Sequence, residues 1–126
     1  MQRSPALVAV VDDDDSIRES LPDLVRELGY TAIAFGSAEE LLASPLLDRI
    51  DCLLLDVSLP GMTGPELQQL LRRRERAPQI VFITAQADHE LCERLLAAGA
   101  IDCLSKPFGV PALVHALGKA VASHRR

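Results

Sequence analysis

The sequence has little of what membrane, extracellular and nucleic-acid-binding chains are built from. Its N-terminal apolar run, ALVAVV at residues 6–11, is cut off by four consecutive aspartates, Asp12, Asp13, Asp14 and Asp15. That run is too short for the core of a signal peptide and far too short to span a bilayer, which takes about 20 apolar residues. No membrane contact is expected. The cysteines, Cys52, Cys92 and Cys103, are odd in number, widely spaced and without a C-x-x-C pair. They suggest neither a disulfide framework nor a zinc site, and a reducing, cytoplasmic setting fits them. His89, His115 and His124 lack metal-ligand spacing and read as surface or interface residues. Positive charge is also short: the formal net charge is -5 and the pI is near 5.1, whereas binding a phosphate backbone needs a basic face that displaces counterions. The RRRER run at residues 72–76 reads instead as the solvated end of a helix, where cations favour the dipole. No nucleic-acid contact is expected of this chain.

What is present is ordinary globular material. With 48% hydrophobic and 25% charged residues the chain is not of the disordered class. Its 126 residues suit one domain that buries about two-thirds of its unfolded surface. LVAVV (7–11), CLLLD (52–56) and IVFIT (80–84) are short, continuous aliphatic runs, the mark of strands covered on both faces. TAIAF (31–35) and AIDCL (100–104) fit as weaker strands. Helical spacing lies between them. Ile17, Leu21, Leu24, Val25 and Leu28 recur until Gly29, a natural left-handed cap, with Pro22 expected to kink that helix. Leu67, Leu70 and Leu71 form a second apolar face, Leu91, Leu95 and Leu96 a third, and Leu113, Val114, Leu117 and Val121 a fourth. Ser37 with Glu40 and Thr63 with Glu66 are S/T-x-x-E boxes that mark helix starts, the second with Pro65 in its first turn.

Five strands alternating with five helices, joined by right-handed crossovers, make an open α/β sheet with helices on both faces. Ligands of such sheets sit beyond the carboxyl ends of the strands, where the strand order reverses. Polar residues collect there. The first strand ends in Asp12 and Asp13, the third in Asp56, the fourth in Thr84, and Lys106 follows the fifth. Carboxylates about 5 Å apart repel by about 3 kcal/mol at an effective dielectric near 20, so such a cluster points to a bound cation.

VVDDDDSIRESL, LLLDVSLPGMTG, IVFITA and AGAIDCLSKPF, in this order and at strand ends, resemble the receiver domain of bacterial two-component response regulators. The resemblance covers nearly the whole chain, and the wording of the motifs is similar to receivers that precede helix-turn-helix outputs in nitrogen-fixation regulators. It implies a flavodoxin-like sheet order 2-1-3-4-5 and a single receiver domain over residues 1–126, standing alone or as the N-terminal part of a longer regulator. It also implies that Asp56 accepts a phosphoryl group from a sensor histidine kinase, with Thr84 as the switch hydroxyl and Lys106 as the partner lysine. Magnesium is the implied cofactor, held by Asp13, Asp56 and the Ser58 backbone carbonyl, with Asp12 acting mostly through water. A cis Lys106-Pro107 bond is implied too.

The chemistry agrees with that assignment. A carboxylate attacking a phosphoryl group must overcome like charge, which a divalent cation bridges. Three carboxylates against magnesium and one lysine leave the loaded site near neutral. Asp14 and Asp15 have no part in this and read as first-turn residues favoured by the helix dipole. One departure stands out: receivers usually carry Tyr or Phe three residues before the lysine, and here that position is Cys103, too small for a two-position lever. Activation is therefore expected to remodel Ala85, Gln86, Ala87 and the fourth helix, whose surface with the fifth strand becomes a partner or homodimer contact. Three other functions fit these residues less well. A haloacid-dehalogenase-type phosphatase needs a second acidic residue where Ser58 stands; a flavodoxin-like mononucleotide binder would have its phosphate repelled by four aspartates; and a phosphorylation-independent interaction module would not need all five site residues.

Overall fold

The three aliphatic runs become the middle of one sheet. In the computed structural model, which describes residues 5–85 and 88–124, β1 is Leu7–Val11, β2 Thr31–Phe35, β3 Cys52–Asp56, β4 Gln79–Thr84 and β5 Asp102–Ser105. All neighbours pair in parallel in the order β2-β1-β3-β4-β5. Every residue of β3 is buried, whereas the edge strands β2 and β5 are buried only in part. Alternation sorts the side chains into two cores. Val8, Val10, Leu54, Val81 and Ile83 pack with Leu21 and Val25 of α1 (Asp15–Glu27) and with Leu113 and Leu117 of α5 (Val110–His124). On the other face Val11, Leu53, Leu55 and Phe82 pack with Leu41 of α2 (Ala38–Ala43), Leu67 and Leu71 of α3 (Gly64–Leu71), and Leu95 of α4 (His89–Ala97).

Local chemistry sets where the helices begin. Asp14 caps α1, its side chain accepting from the Ser16 amide at 2.8 Å, so this aspartate sits at the cap and Asp15 opens the first turn. Thr63 and Glu66 form a reciprocal capping box at α3, the Thr63 hydroxyl accepting from the Glu66 amide at 3.3 Å and Glu66 accepting from the Thr63 amide at 3.0 Å. At α2 the Ser37 hydroxyl caps as expected, while Glu40 reaches back one residue further, to the Gly36 amide. Gly29 closes α1 with φ at 101°, the left-handed conformation that favours glycine. The Lys106-Pro107 peptide is cis.

Several expectations need correcting. The fifth strand begins at Asp102 rather than at residue 100, because the Ala100 amide is taken by the Leu95 carbonyl as the chain leaves α4. The RRRER run starts at the C-cap of α3, where the Arg72 amide still donates to Gln68, and then leaves the helix: Arg73 and Arg74 donate to Leu70 and Leu71, three-residue bonds that unwind it into a turn. A short 3-10 turn at Leu47–Arg49 was not foreseen. Leu96 and Val114, placed on apolar faces by their spacing, are 42% and 45% exposed. The cysteine reading also fails, since Cys92 and Cys103 form a disulfide with their Cα atoms 5.9 Å apart. The β4–α4–β5 crossover brings these residues together, and their separation of 11 along the chain gives no hint of it. Gln86 and Ala87 lie outside the described residues.

One close approach positions the functional end of the sheet. A Cβ on Gly64 would come within 2.6 Å of the Asp56 carbonyl oxygen and 3.1 Å of both the Val57 Cα and a Phe82 ring carbon. Two of these three neighbours are backbone and cannot swing aside, so α3 can start this close to β3 only with glycine there. Gly64→Ala should therefore destabilise the fold by about 1–3 kcal/mol. A denaturant midpoint equal to that of the unmodified protein would contradict this packing.

Candidate functional site

The strand order reverses between β1 and β3, and the acidic residues converge at that point. Asp12 and Asp13 leave the end of β1, Asp56 is the last residue of β3, Thr84 is the last of β4, and Lys106 follows β5. A carboxylate oxygen from each of Asp12, Asp13 and Asp56 lies within 4.8 Å of the others. Burial is uneven. Asp12 is 1% exposed, Asp56 and Thr84 8%, and Asp13 is open to solvent.

Each group is held from more than one element. The Asp12 carboxylate accepts from the Asp14 amide at 2.9 Å, and its other oxygen lies 3.4 Å from the Lys106 ammonium. Its backbone is fixed as well, the amide bonding to the Phe35 carbonyl on β2 and the carbonyl accepting from the Arg18 guanidinium at 2.9 Å. Asp56 accepts from the Ser58 amide at 3.0 Å. The Lys106 amide donates to the Thr84 carbonyl at 2.8 Å, so threonine and lysine are tied across the β4–β5 edge. Asp14 and Asp15 serve helix α1, as a cap and as the partner of Arg18. The four aspartates thus divide into two for the site and two for the helix.

The crowding shows in the electrostatics of Asp56. Burial raises its carboxyl above the ordinary carboxylate range, the charges of Asp12 and Asp13 push it further up, and the Ser58 amide and Lys106 oppose them. Relief by a cation is the natural outcome. The donors present are hard oxygens, the ligand type that suits magnesium and not soft metals.

All five residues expected at strand ends therefore meet in one place. Ser58 stands beside them, its amide donating to Asp56. Sequence reasoning missed three supports. Arg18 holds the Asp12 carbonyl. Glu39 of α2 accepts from the Met62 amide at 3.1 Å and fastens the loop after β3. Gly64 admits α3 against Asp56. Only Gly64, beside the Thr63 capping box, carried a local signal; the other two contacts join separate elements.

Comparison with known proteins gives a consistent picture. The sequence profile of the response regulator receiver domain matches residues 8–118. Nodulation protein W of Bradyrhizobium diazoefficiens is 43% identical over 121 residues, covering 96% of this chain and 53% of that protein. The C4-dicarboxylate transport transcriptional regulatory protein DctR of Rhodobacter capsulatus is 37% identical, covering 93% of this chain and 60% of that one. The chain thus spans about half the length of the curated relatives it matches. Among solved structures, the response regulator StyR is similar at TM-score 0.87 and 38% identity, over 97% of this chain and 62% of that one. A response regulator receiver protein from Burkholderia phymatum is similar at TM-score 0.78 and 36% identity, over 93% and 95% of the two chains. Among the described residues no helix is long and apolar enough to cross a membrane.

The raised ionisation of Asp56 makes stability depend on pH. The folded carboxyl holds its proton more tightly than the unfolded one, so its ionisation removes stability as pH rises above the unfolded value of about 4. In metal-free buffer, Asp56→Asn should gain on the unmodified protein as pH goes from about 4 to about 7. Urea midpoints of both proteins at the two pH values check this, and a gap that does not widen contradicts it.

Proposed function

Because the chain belongs to the response regulator receiver domain family, we propose that it is a phosphorylation switch in which Asp56 accepts a phosphoryl group from a phosphohistidine of a sensor kinase. The observation that carries this reading is the buried Asp56 carboxylate at the end of β3, within 4.8 Å of two further carboxylates and steadied by the Ser58 amide. An Asp56 oxygen attacks phosphorus, the bond from phosphorus to the donor nitrogen breaks, and the imidazole keeps the electron pair and takes a proton from water. Asp13, Asp56 and the Ser58 carbonyl would hold magnesium, with Asp12 acting mostly through water, and the ion would supply positive charge between these anions.

The remaining residues act on the product. Lys106, 3.4 Å from Asp12 in the resting site, turns its charge to the new phosphoryl oxygens. The Thr84 hydroxyl moves to the same group and draws the following loop and α4 with it. The α4–β5 face, where Leu96 stands exposed, is then the contact for an effector or a second copy. Residues 1–126 act as one receiver domain, alone or at the front of a longer regulator, in a cytoplasmic setting. The phosphatase alternative is weaker because Ser58 occupies the place of its second acid and spends its amide on Asp56.

Incubation with phosphoramidate and magnesium should add one base- and hydroxylamine-labile phosphoryl group to the chain, and Asp56→Asn should abolish it. Labelling of that variant at the unmodified level would remove Asp56 from its role. Thr84→Ala should keep the label but lose most of the change in hydrogen exchange across α4.

A further inference from the structure

The corner formed by α4 and β5 is lightly fastened. Only Leu95 of α4 and only Leu104 of β5 are buried, where all five residues of β3 are. Beyond Leu95, the link from α4 to α3 is a buried hydrogen bond from the Gln68 amide group to the Leu95 carbonyl at 3.1 Å. A segment with few buried contacts opens locally at low free energy, so one covalent tie there changes its behaviour more than the same tie in the core.

Such a tie is present. Cys92, the fourth residue of α4, and Cys103, the second of β5, are joined with a Cα separation of 5.9 Å, inside the span of about 4.4–6.8 Å that a disulfide bridges. Both residues are half-buried, so neither is sealed in the core. The third cysteine is their opposite: Cys52 is fully buried, and burial pushes its thiol up to about 12, which keeps it inert. The pair also lies on the route out of the site. Cys103 pairs in register with Phe82, and two residues further along the same ladder Thr84 pairs with Ser105, next to Lys106.

We propose that Cys92 and Cys103 form a reversible thiol–disulfide site that staples α4 to β5 and so limits how far this face moves when Asp56 is phosphorylated. The second half rests on the phosphoacceptor reading; the staple itself does not. The oxidant is a low-molecular-weight disulfide. The thiolate of one cysteine attacks it, forming a mixed disulfide and releasing one thiolate that takes up a proton. The second cysteine's thiolate then attacks the protein sulfur of that mixed disulfide, closing Cys92–Cys103 and releasing the second small thiol. Two protein thiols are oxidised, one small disulfide is reduced to two thiols, and an excess of small thiol runs the sequence backwards.

The test equilibrates the full chain with oxidised or reduced glutathione and then alkylates it in denaturant. The oxidised chain should take one label, on Cys52, and the reduced chain three. Without phosphodonor, amides of residues 89–97 should exchange more slowly in the oxidised chain, on the order of tenfold. With phosphoramidate and magnesium, Asp56 should be labelled equally in both forms while α4 responds only in the reduced one. Cys92→Ser, altered at a half-buried position, should respond whichever glutathione is used. Three labels after oxidation, or the same basal α4 exchange in both forms, would overturn the staple; an equal α4 response in both would overturn its limiting role. Failure of Asp56 to take the phosphoryl group in either form overturns the phosphoacceptor reading and the second half with it, while the staple stands or falls on label count and basal exchange alone.

Discussion

Repulsion among three carboxylates is the constraint on which the rest of the site depends. Oxygens of Asp12, Asp13 and Asp56 within 4.8 Å of each other repel by about 3 kcal/mol for each pair at an effective dielectric near 20. The fold holds them there regardless, because each sits at the end of a strand or within two residues of it, and the strands are fixed by burial on both faces. Backbone amides of Asp14 and Ser58 and the Lys106 ammonium offset part of the repulsion. What they leave uncompensated is what a bound divalent cation would offset.

The same constraint explains the division of labour around the sheet. Strand β3, which carries Asp56, is buried along its whole length and has α3 seated against it through Gly64, so this carboxylate stands on the most deeply buried strand. On the other side Thr84 and Lys106 are tied across the β4–β5 edge, and α4 buries only Leu95. On the proposed reading, a new negative charge at Asp56 would be answered by displacement of the threonine, the lysine and the elements attached to them. The Cys92–Cys103 bond lies across that displacement.

Most of this was legible in the sequence, for reasons that can be named. Strands covered on both faces are nearly unbroken aliphatic runs, so β1 and β3 were located to the residue and β4 to within one, and the capping pair Thr63 and Glu66 marked α3. Because sites of parallel sheets gather at carboxyl ends, finding the strands also placed Asp12, Asp13, Asp56, Thr84 and Lys106 at one end of the sheet. Contacts between elements left no such trace. Glu39 to Met62 and Cys92 to Cys103 depend on how the crossovers fold back, and Arg18 to Asp12 on the angle at which α1 leaves β1. Spacing erred where exposure decides: Leu96 fits an apolar stripe of α4 yet stands out from it, since a helix on the edge strand β5 has less sheet to cover.

The account turns on whether a cation relieves carboxylate repulsion at this place. The most direct measurement is the urea midpoint of the unmodified protein and of Asp13→Ala, each titrated with magnesium. Without metal the variant should be the more stable, since one of three crowded charges is gone. Added magnesium should raise the midpoint of the unmodified protein progressively, as binding to the folded state alone requires, and leave that of the variant nearly unchanged. Equal stabilities without metal, or equal stabilisation of both proteins by magnesium, would contradict it.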